Sequence, residues 1–200
     1  MPRDVEGLYA RARKLARALR HTPDRLLHGI RRRRSMRRLE ERPPRSILVI
    51  CLGNICRSPF AAAALQQHLD GRGLDIESAG LLKEDRPSPE LAQQAALRRG
   101  IDLSRHRSQT VTPALVDRAD LVVVMDGAQQ RLIRKQFGRR QGVLVLGDLD
   151  PASIDTRTVR DPFDQAEEVF DQVYERIERC VQTLTESMPN GRSGARQPGR

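Results

Sequence analysis

Residues 46–59 read SILVICLGNICRSP, and this stretch contains the features that decide the fold. Its first six residues form an apolar run that ends at Cys51 and is typical of a buried strand. A turn containing Gly53 and Asn54 follows, and Pro59 stands where the first residue of a helix is expected. A strand, a tight loop and a helix in this order predict the beginning of a βαβ unit.

Strand and helix patterns alternate through the rest of the chain. We predict further strands at residues 75–78, 119–125 and 143–146, and helices at residues 60–69, 88–100 and 126–137, followed by a long helix capped by Asp164. The last helix carries one apolar stripe, formed by Phe170, Val173, Ile177, Val181 and Leu184. This order predicts a three-layer α/β/α domain with a small, doubly wound parallel sheet, whose ligand lies beyond the carboxyl ends of the strands.

Length and composition exclude several classes of protein. Two hundred residues, 38% hydrophobic and 31% charged, suit one soluble domain with some additional chain. The apolar runs at residues 47–52 and 121–125 are far shorter than the ~20 residues of a membrane span. We also expect no secretory signal, because the amino terminus lacks an apolar stretch. Three cysteines, an odd number, argue against a disulfide framework and favour the cytoplasm.

The positive charge is concentrated in the first quarter of the chain. The net charge is +10, and residues 1–46 hold 15 of the 36 basic residues but 5 of the 26 acidic ones, so the remainder is neutral. Apolar residues repeat at helical spacing from Val5 to Leu19, arginines fill the other faces, and Pro43 and Pro44 indicate a linker. We expect a basic, partly helical extension at residues 1–45, a folded domain at 46–187 and a disordered tail at 188–200.

Two roles for the basic extension stay open. It could be a solvated tail, or a basic amphipathic helix that binds an anionic membrane surface or an acidic partner. Nucleic acid is a less favoured partner, because a single tyrosine provides no stacking platform. Met36 could also be the first translated residue, which would omit most of the extension.

The loop after the first strand is predicted to bind an oxyanion such as phosphate. A tight arc that enters a helix amino terminus aims several backbone N–H groups inward, and the helix end adds a positive dipole. Gly53 and Asn54 tolerate the positive φ that such an arc often needs. The residues of this predicted phosphate loop are Cys51, Leu52, Gly53, Asn54, Ile55, Cys56, Arg57 and Ser58.

Four side chains could perform phosphoryl transfer at this loop. The positive field would stabilise the thiolate of Cys51, which makes it a nucleophile in line with a bound phosphorus atom. Arg57 could hold two phosphoryl oxygens with its guanidinium fork, and Ser58 could donate a hydrogen bond to the sulfur. Asp161, in a loop stiffened by Pro162, is the candidate general acid and then general base.

These residues resemble the signature of the low-molecular-weight protein-tyrosine phosphatases. The resemblance covers residues 46–186, begins with VICLGNICRSP at 49–59, and leaves residues 1–45 outside it. Further segments follow in the order of the family: ESAG at 77–80, HRSQ at 106–109, LVVVMD at 121–126 and DPF at 161–163. The resemblance implies hydrolysis of phosphotyrosine in proteins, with no metal and no cofactor.

The resemblance also implies a role for each matching residue. Cys51 would be the nucleophile, Arg57 the phosphate clamp and Asp161 the general acid. Asn54 would hold the loop in a strained conformation through hydrogen bonds to two supporting residues, Ser78 and His106. Cys56 would form a reversible disulfide with Cys51 that protects the nucleophile from over-oxidation, whereas Cys180, beside the apolar stripe, is interpreted as a packing residue.

The chain departs from the family pattern at two places. Residues 81–86 lack the aromatic side chain of the substrate groove, and Phe163 replaces a tyrosine. Gln109 is assigned no role. Residues 81–86 and 146–151 look more like the bacterial branch that is paired with tyrosine autokinases of polysaccharide export, which suggests such a kinase as substrate and a peripheral location at the inner membrane.

Two related activities remain as alternatives. A protein-arginine phosphatase has the same fold, but that branch carries threonine where this chain has Ile55, and an apolar residue there favours an aryl phosphate. Thiol-dependent arsenate reductases share the loop but need an additional cysteine pair, which the interval between Arg57 and Arg179 does not supply. The alternative that is not an enzyme is a binding module that acts through the basic extension.

Overall fold

The computed structural model describes the backbone of residues 4–82, 85–139 and 141–189, and the side chains from residue 23 onward within these ranges. The strands are β1 (Ser46–Cys51), β2 (Asp75–Gly80), β3 (Leu121–Val124) and β4 (Val143–Val145). The helices are α1 (Asp4–Glu41), α2 (Arg57–His68), α3 (Glu90–Leu97), α4 (Pro113–Arg118), α5 (Gly127–Gln136) and α6 (Glu167–Glu186). A short 3-10 turn, Leu146–Leu149, follows β4.

The four strands form one parallel sheet in the order β2-β1-β3-β4. Alternate residues of β1 belong to two apolar clusters: Ile47, Val49 and Cys51 lie in the cluster with α2 and α6, and Leu48 and Ile50 lie in the cluster with α4 and α5. Both faces of the sheet are therefore covered by helices. The predicted doubly wound α/β fold is confirmed, and its order reverses between β1 and β3, where ligands bind in such sheets.

The observed helices differ from the predictions in several places, and α3 covers Glu90–Leu97 where residues 88–100 were predicted. Helix α2 begins at Arg57, two residues before Pro59, which is tolerated because an N–H in the first turn has no partner within the helix. The prediction that Asp164 caps the last helix is wrong: Asp164 has a φ of 57°, and α6 begins at Glu167 after Ala166. Helix α4, capped by Thr112, was not predicted, since its six residues are too few to show a period.

Most of the basic extension forms one continuous helix, α1, that contacts the domain. Helix α1 runs through Pro23, although a proline inside a helix removes one backbone hydrogen bond. Leu39 is only 4% exposed and lies in the main core cluster, and Asp24 accepts hydrogen bonds from Arg157 N and Thr156 Oγ1, at 3.2 and 3.4 Å. Tertiary contacts thus extend to residues that the sequence placed in a separate segment.

Two further findings concern the ends of the domain. Met188 is buried against the core, while the tail predicted to be disordered lies, from residue 190 on, outside the described residues. No helix in the described part of the chain combines the length and apolarity that crossing a bilayer requires.

Candidate active site

The carboxyl end of β1 and the loop that follows it surround a small cavity of about 90 Å³. The loop supplies one wall, and residues from two distant segments supply the other. Those that line the cavity are Cys51, Leu52, Gly53, Ile55, Cys56, Arg57, Leu82, Arg86, Asp161 and Phe163. The structure therefore brings all three predicted catalytic residues to one place, although Asp161 lies 104 residues beyond Arg57 in the chain.

The sulfur of Cys51 receives two hydrogen bonds at the floor of this cavity. Asn54 N lies 3.2 Å from Cys51 Sγ and Ser58 Oγ lies 3.1 Å from it, and both act as donors. The Cys51 residue is 2% exposed. These two contacts hold the sulfur in a fixed position at the end of β1, which suits a nucleophile. The contact expected from Ser58 is present.

The other two cysteines are poorly suited to act as nucleophiles. Burial raises the pKa of Cys56 to about 12 and that of Cys180 also to about 12. Both thiols therefore stay protonated at neutral pH and are poor nucleophiles. Each of the three cysteines is a free thiol in this structure.

Asn54 fixes the shape of the phosphate loop. It adopts a φ of 51°, in the left-handed region that asparagine tolerates better than most residues. Its Nδ2 donates to Ser58 Oγ at 2.9 Å and to Ser78 Oγ at 2.8 Å, and its Oδ1 accepts from Gln109 N at 2.9 Å. His106 Nε2 donates to the carbonyl of Asn54 at 2.6 Å. Four residues thus hold the strained Asn54 in place. Two of them, Ser78 and His106, are the supporting residues that the resemblance implied.

The proton on His106 is fixed by this arrangement. A carbonyl only accepts, so Nε2 carries the hydrogen. Burial lowers the pKa of His106, and the nearby Arg107 lowers it further, while the hydrogen bond to Asn54 opposes the change. His106 is therefore neutral at pH 7 and positions the loop without adding a charge.

Arg57 and Asp161 face each other across the cavity and form an ion pair. Arg57 is 4% exposed, and its Nη1 also donates to the carbonyl of Val159 at 3.1 Å, whereas Asp161 is 41% exposed. Arg57 Nε is buried and has no partner among the described residues. A buried donor without a partner is costly, and an oxyanion in the cavity would satisfy it.

The residues 46–193 match the sequence profile of the low molecular weight phosphotyrosine protein phosphatases. The chain belongs to this family. A probable low molecular weight protein-tyrosine-phosphatase, EpsP, from Ralstonia nicotianae is 40% identical over 139 residues, which cover 68% of this chain and 91% of EpsP.

Two other members of the family are informative. The crystal structure of the tyrosine phosphatase Wzb from Escherichia coli K30 in complex with sulphate is 31% identical and superposes with a TM-score of 0.63, covering 72% of this chain and 97% of Wzb. A protein-arginine-phosphatase from Bacillus subtilis is 30% identical over 151 residues, which cover 73% of this chain and 98% of the relative. The family therefore contains relatives named for two different phosphoamino acids.

Three residues of this phosphatase site were missed from the sequence. Gln109 was assigned no role, yet its backbone N–H contacts Asn54 and its Nε2 donates to Ser78 O at 2.8 Å. Arg86 donates to the carbonyl of Gly53 at 2.9 Å, and the Tyr174 hydroxyl donates to the carbonyl of Cys56 at 3.1 Å. All three donate to backbone carbonyls, either of the loop or of Ser78, which supports it. Such contacts do not produce a recognisable spacing of residues in the sequence.

No group of three or more histidine, cysteine, aspartate or glutamate side chains within the described ranges could hold a metal ion.

Proposed function

We propose that the protein hydrolyses phosphotyrosine in proteins through a cysteinyl-phosphate intermediate. One observation carries this proposal: Cys51 Sγ, which accepts two hydrogen bonds, lines the same small cavity as the Arg57–Asp161 ion pair. Phosphoryl transfer requires a nucleophile, a group that binds the phosphoryl oxygens and an acid around one space.

The first step is attack by the Cys51 thiolate on phosphorus. A phosphoryl group seated in the loop would take over the guanidinium of Arg57, including its unpaired Nε, and release Asp161 toward the leaving oxygen. The S–P bond forms as the P–O bond to the tyrosine ring breaks. Asp161, which takes up a proton from solvent once it is released from Arg57, gives that proton to the phenolic oxygen. Loop N–H groups and Arg57 stabilise the charge on the equatorial oxygens.

The second step is hydrolysis of the intermediate. Asp161, now a carboxylate, takes a proton from a water molecule whose oxygen attacks phosphorus. The P–S bond breaks, the electron pair returns to sulfur, and inorganic phosphate leaves. Ser58 Oγ stabilises the departing thiolate through its hydrogen bond to Cys51 Sγ.

An apolar cavity wall favours tyrosine over arginine as the phosphorylated residue. Ile55 is 7% exposed beside the predicted phosphate position, and Leu82 and Phe163, 46% and 53% exposed, form the rim. A phenyl ring gains from burial between such side chains. A guanidinium would need an acidic partner there, and Asp161, the carboxylate that lines the cavity among the described residues, is assigned to the leaving oxygen in this mechanism.

Hydrolysis of matched phosphotyrosine and phosphoarginine peptides tests this function. We expect turnover of the phosphotyrosine peptide, its loss in Cys51→Ser, and a fall of about 10²- to 10⁴-fold in kcat for Asp161→Asn. Cys180→Ala, which removes a thiol from the core, is the control and should retain turnover. A preference for the phosphoarginine peptide would keep the mechanism but overturn the substrate, and turnover by Cys51→Ser would overturn the mechanism.

Exchange at one cavity position tests the substrate argument separately. Ile55→Thr replaces an apolar side chain next to the predicted phosphate position by a smaller hydroxyl residue. We expect the ratio of kcat/KM for phosphotyrosine over phosphoarginine to fall by about ten-fold, as for a change of one apolar contact. An unchanged ratio would show that Ile55 does not select the aryl group.

We further propose that the phosphoprotein substrate is a bacterial tyrosine autokinase of polysaccharide export. The resemblance of residues 146–151 to that branch of the family supports this. Asp148 and Asp150 within this segment are buried, and they pair with Arg157, Arg176 and Arg179. Dephosphorylation of a purified autokinase of this class, faster than that of an unrelated phosphotyrosine protein, is the expected result, and equal rates would contradict it.

We also propose that residues 1–45 act as an extension to a catalytic domain at 46–187 and place it on an anionic membrane surface. The specific support is that Leu26 and Ile30, one helical turn apart on α1, are 74% and 57% exposed, next to exposed Arg33 and Arg37. Apolar side chains among arginines on one helix face are typical of interfacial helices. The segment would then bring the enzyme to the cytoplasmic face of the inner membrane.

Sedimentation with phosphatidylglycerol vesicles tests the membrane proposal. We expect the full chain to sediment in a salt-sensitive manner, and Leu26→Ser/Ile30→Ser to sediment less. Equal sedimentation of the full chain and of a chain beginning at Ser46 would contradict it.

A further inference from the structure

A second, much larger recess lies outside the active site, between α1 and α5. Its volume is about 910 Å³, at the upper end of the ~300–1,000 Å³ that ligand pockets occupy. Its lining includes the first residues of β4, which is an edge strand of the sheet, and the described lining residues include eight arginines and no lysine. We call this recess the arginine groove.

Five of these arginines have no acidic partner. Arg34, Arg38, Arg42, Arg45 and Arg134 are exposed, and their side chains make no ion pair or hydrogen bond with the described residues. Like charges that crowd one recess without counter-charges raise its electrostatic potential, and an anion would lower it.

The other charged groups of the groove are already engaged. Arg31 pairs with Asp24, and Arg157 pairs with Asp148. Arg139 donates to the carbonyls of Val116 and Asp120. The side chain of Asp120 accepts from Arg45 N and Ser46 N, at 2.8 and 3.1 Å. Among the described residues, eight arginines and two carboxylates line the groove, so positive charge is in excess there.

We propose that the arginine groove binds an acidic segment of the phosphoprotein substrate; this inference rests on the proposed function. Guanidinium groups bind carboxylates as two-pronged donors, which a lysine cannot do. None of the described residues that line the groove is aromatic, so they provide no stacking platform for single-stranded nucleic acid. A concave recess between two helices also fits an extended peptide better than a flat bilayer surface.

The position of the groove suits a docking site for the substrate chain. Arg157 lines its wall and lies four residues before Asp161, in the same loop. The intervening Val159 donates its N–H to Met125 O and accepts from Arg57. A substrate whose acidic segment lies in the groove would therefore lie against Arg157, in the loop that also carries the proposed general acid.

Direct binding of an acidic peptide is the first test. Full-length Cys51→Ser protein is titrated into a fluorescein-labelled Asp/Glu peptide without phosphotyrosine, and anisotropy is recorded. The groove variant is Arg34→Gln/Arg38→Gln/Arg134→Gln. The matched control is Arg33→Gln/Arg37→Gln/Arg131→Gln, which removes the same charge from the same two helices outside the groove.

We expect the groove variant to bind about ten-fold more weakly and the control to bind nearly as tightly as the parent. Equal weakening by both variants would overturn the proposal, since net charge alone would then explain binding. Absence of binding by the parent would also overturn it. Tighter groove-dependent binding of a single-stranded oligonucleotide or of anionic vesicles would overturn the assigned occupant.

Kinetics on matched phosphotyrosine peptides separate this inference from the proposed function. With an acidic extension on the peptide, the groove variant should raise KM about ten-fold and leave kcat unchanged. With a neutral extension, or with p-nitrophenyl phosphate, both parameters should be unchanged. A KM that rises equally for both peptides would overturn the docking site. If the parent fails to hydrolyse either peptide, the proposed function fails, while anisotropy still decides whether the groove binds acidic chains.

Discussion

At the scale of single residues, Asn54 connects the phosphate loop to the rest of the fold. Its amide spans Ser58, Ser78 and the backbone of Gln109, and its backbone carbonyl accepts from His106. Its backbone N–H points at the Cys51 sulfur. A change at this residue therefore alters both loop geometry and the nucleophile.

We predict that Asn54→Ala lowers both stability and turnover. Alanine at a φ of 51° costs about 1–2 kcal/mol, and the lost amide leaves buried partners unsatisfied at about 1–3 kcal/mol. A nucleophile displaced by about 1 Å can lose about 10²-fold in rate. Urea unfolding and kcat on p-nitrophenyl phosphate measure the two effects, and a variant with parental kcat would show that the loop holds its shape without this side chain.

The pKa of His106 determines in which direction the stability of the fold should change with pH. Because its pKa in the folded protein is lowered from 6.5, the unfolded chain takes up a proton at a higher pH than the folded one. Stability should therefore fall as the pH decreases below 6.5, until the folded protein is protonated as well. His106→Gln should show a smaller loss of Tm between pH 7.5 and pH 5, and an equal loss in both proteins would contradict this account.

At the scale of elements, the end of β2 limits how the phosphate loop can be placed. Gly80, the last residue of β2, pairs with Cys51 of β1, and a Cβ added there would lie 2.9 Å from Asn54 Cβ and 3.0 Å from Asn54 N. Strand and loop backbone approach too closely for any side chain.

We predict that Gly80→Ala destabilises the protein by about 1–3 kcal/mol, as overpacking does, and reduces kcat because the loop must shift. Gly29→Ala in α1 is the matched control, since no atom lies within 4 Å of the added Cβ. It should be neutral or stabilise by about 0.5–1 kcal/mol, because alanine is the better helix former. Thermal unfolding of both variants checks the pair, and equal destabilisation would refute the steric explanation.

At the scale of the whole molecule, α1 is part of the packed structure. Leu39 lies in the core cluster, Met36 packs against it, and His28 Nε2 contacts the carbonyl of Asp150 at 2.9 Å. Asp24 is held by Arg31, and hydrogen bonds from Arg31 and Arg157 lower its pKa in spite of its burial. The carboxylate of Asp24 thus joins the helix to the loop that leads to Asp161.

We predict that a chain beginning at Ser46 is less stable than one beginning at Met36. The shorter chain lacks Leu39, and removal of a buried leucine side chain costs about 2–5 kcal/mol. Leu39→Ala in the full chain should show a loss of similar size. Urea midpoints are measured for the two shortened chains, for Leu39→Ala and for the full-length parent, and identical midpoints would mean that residues 36–45 contribute nothing to the stability of the domain.

The sequence by itself determined the strand–loop–helix unit, the parallel sheet and the residues of the phosphate loop. These follow from local signals: an apolar run before Cys51, a Gly-Asn turn and alternating strand and helix patterns. Only tertiary structure decided the rest. Asp161 meets Arg57 across 104 residues, Gln109 and Tyr174 act through backbone contacts, and α1 forms the arginine groove with α5. Such contacts depend on how elements pack, and the spacing of residues along a chain does not encode the distance between elements that are far apart in sequence.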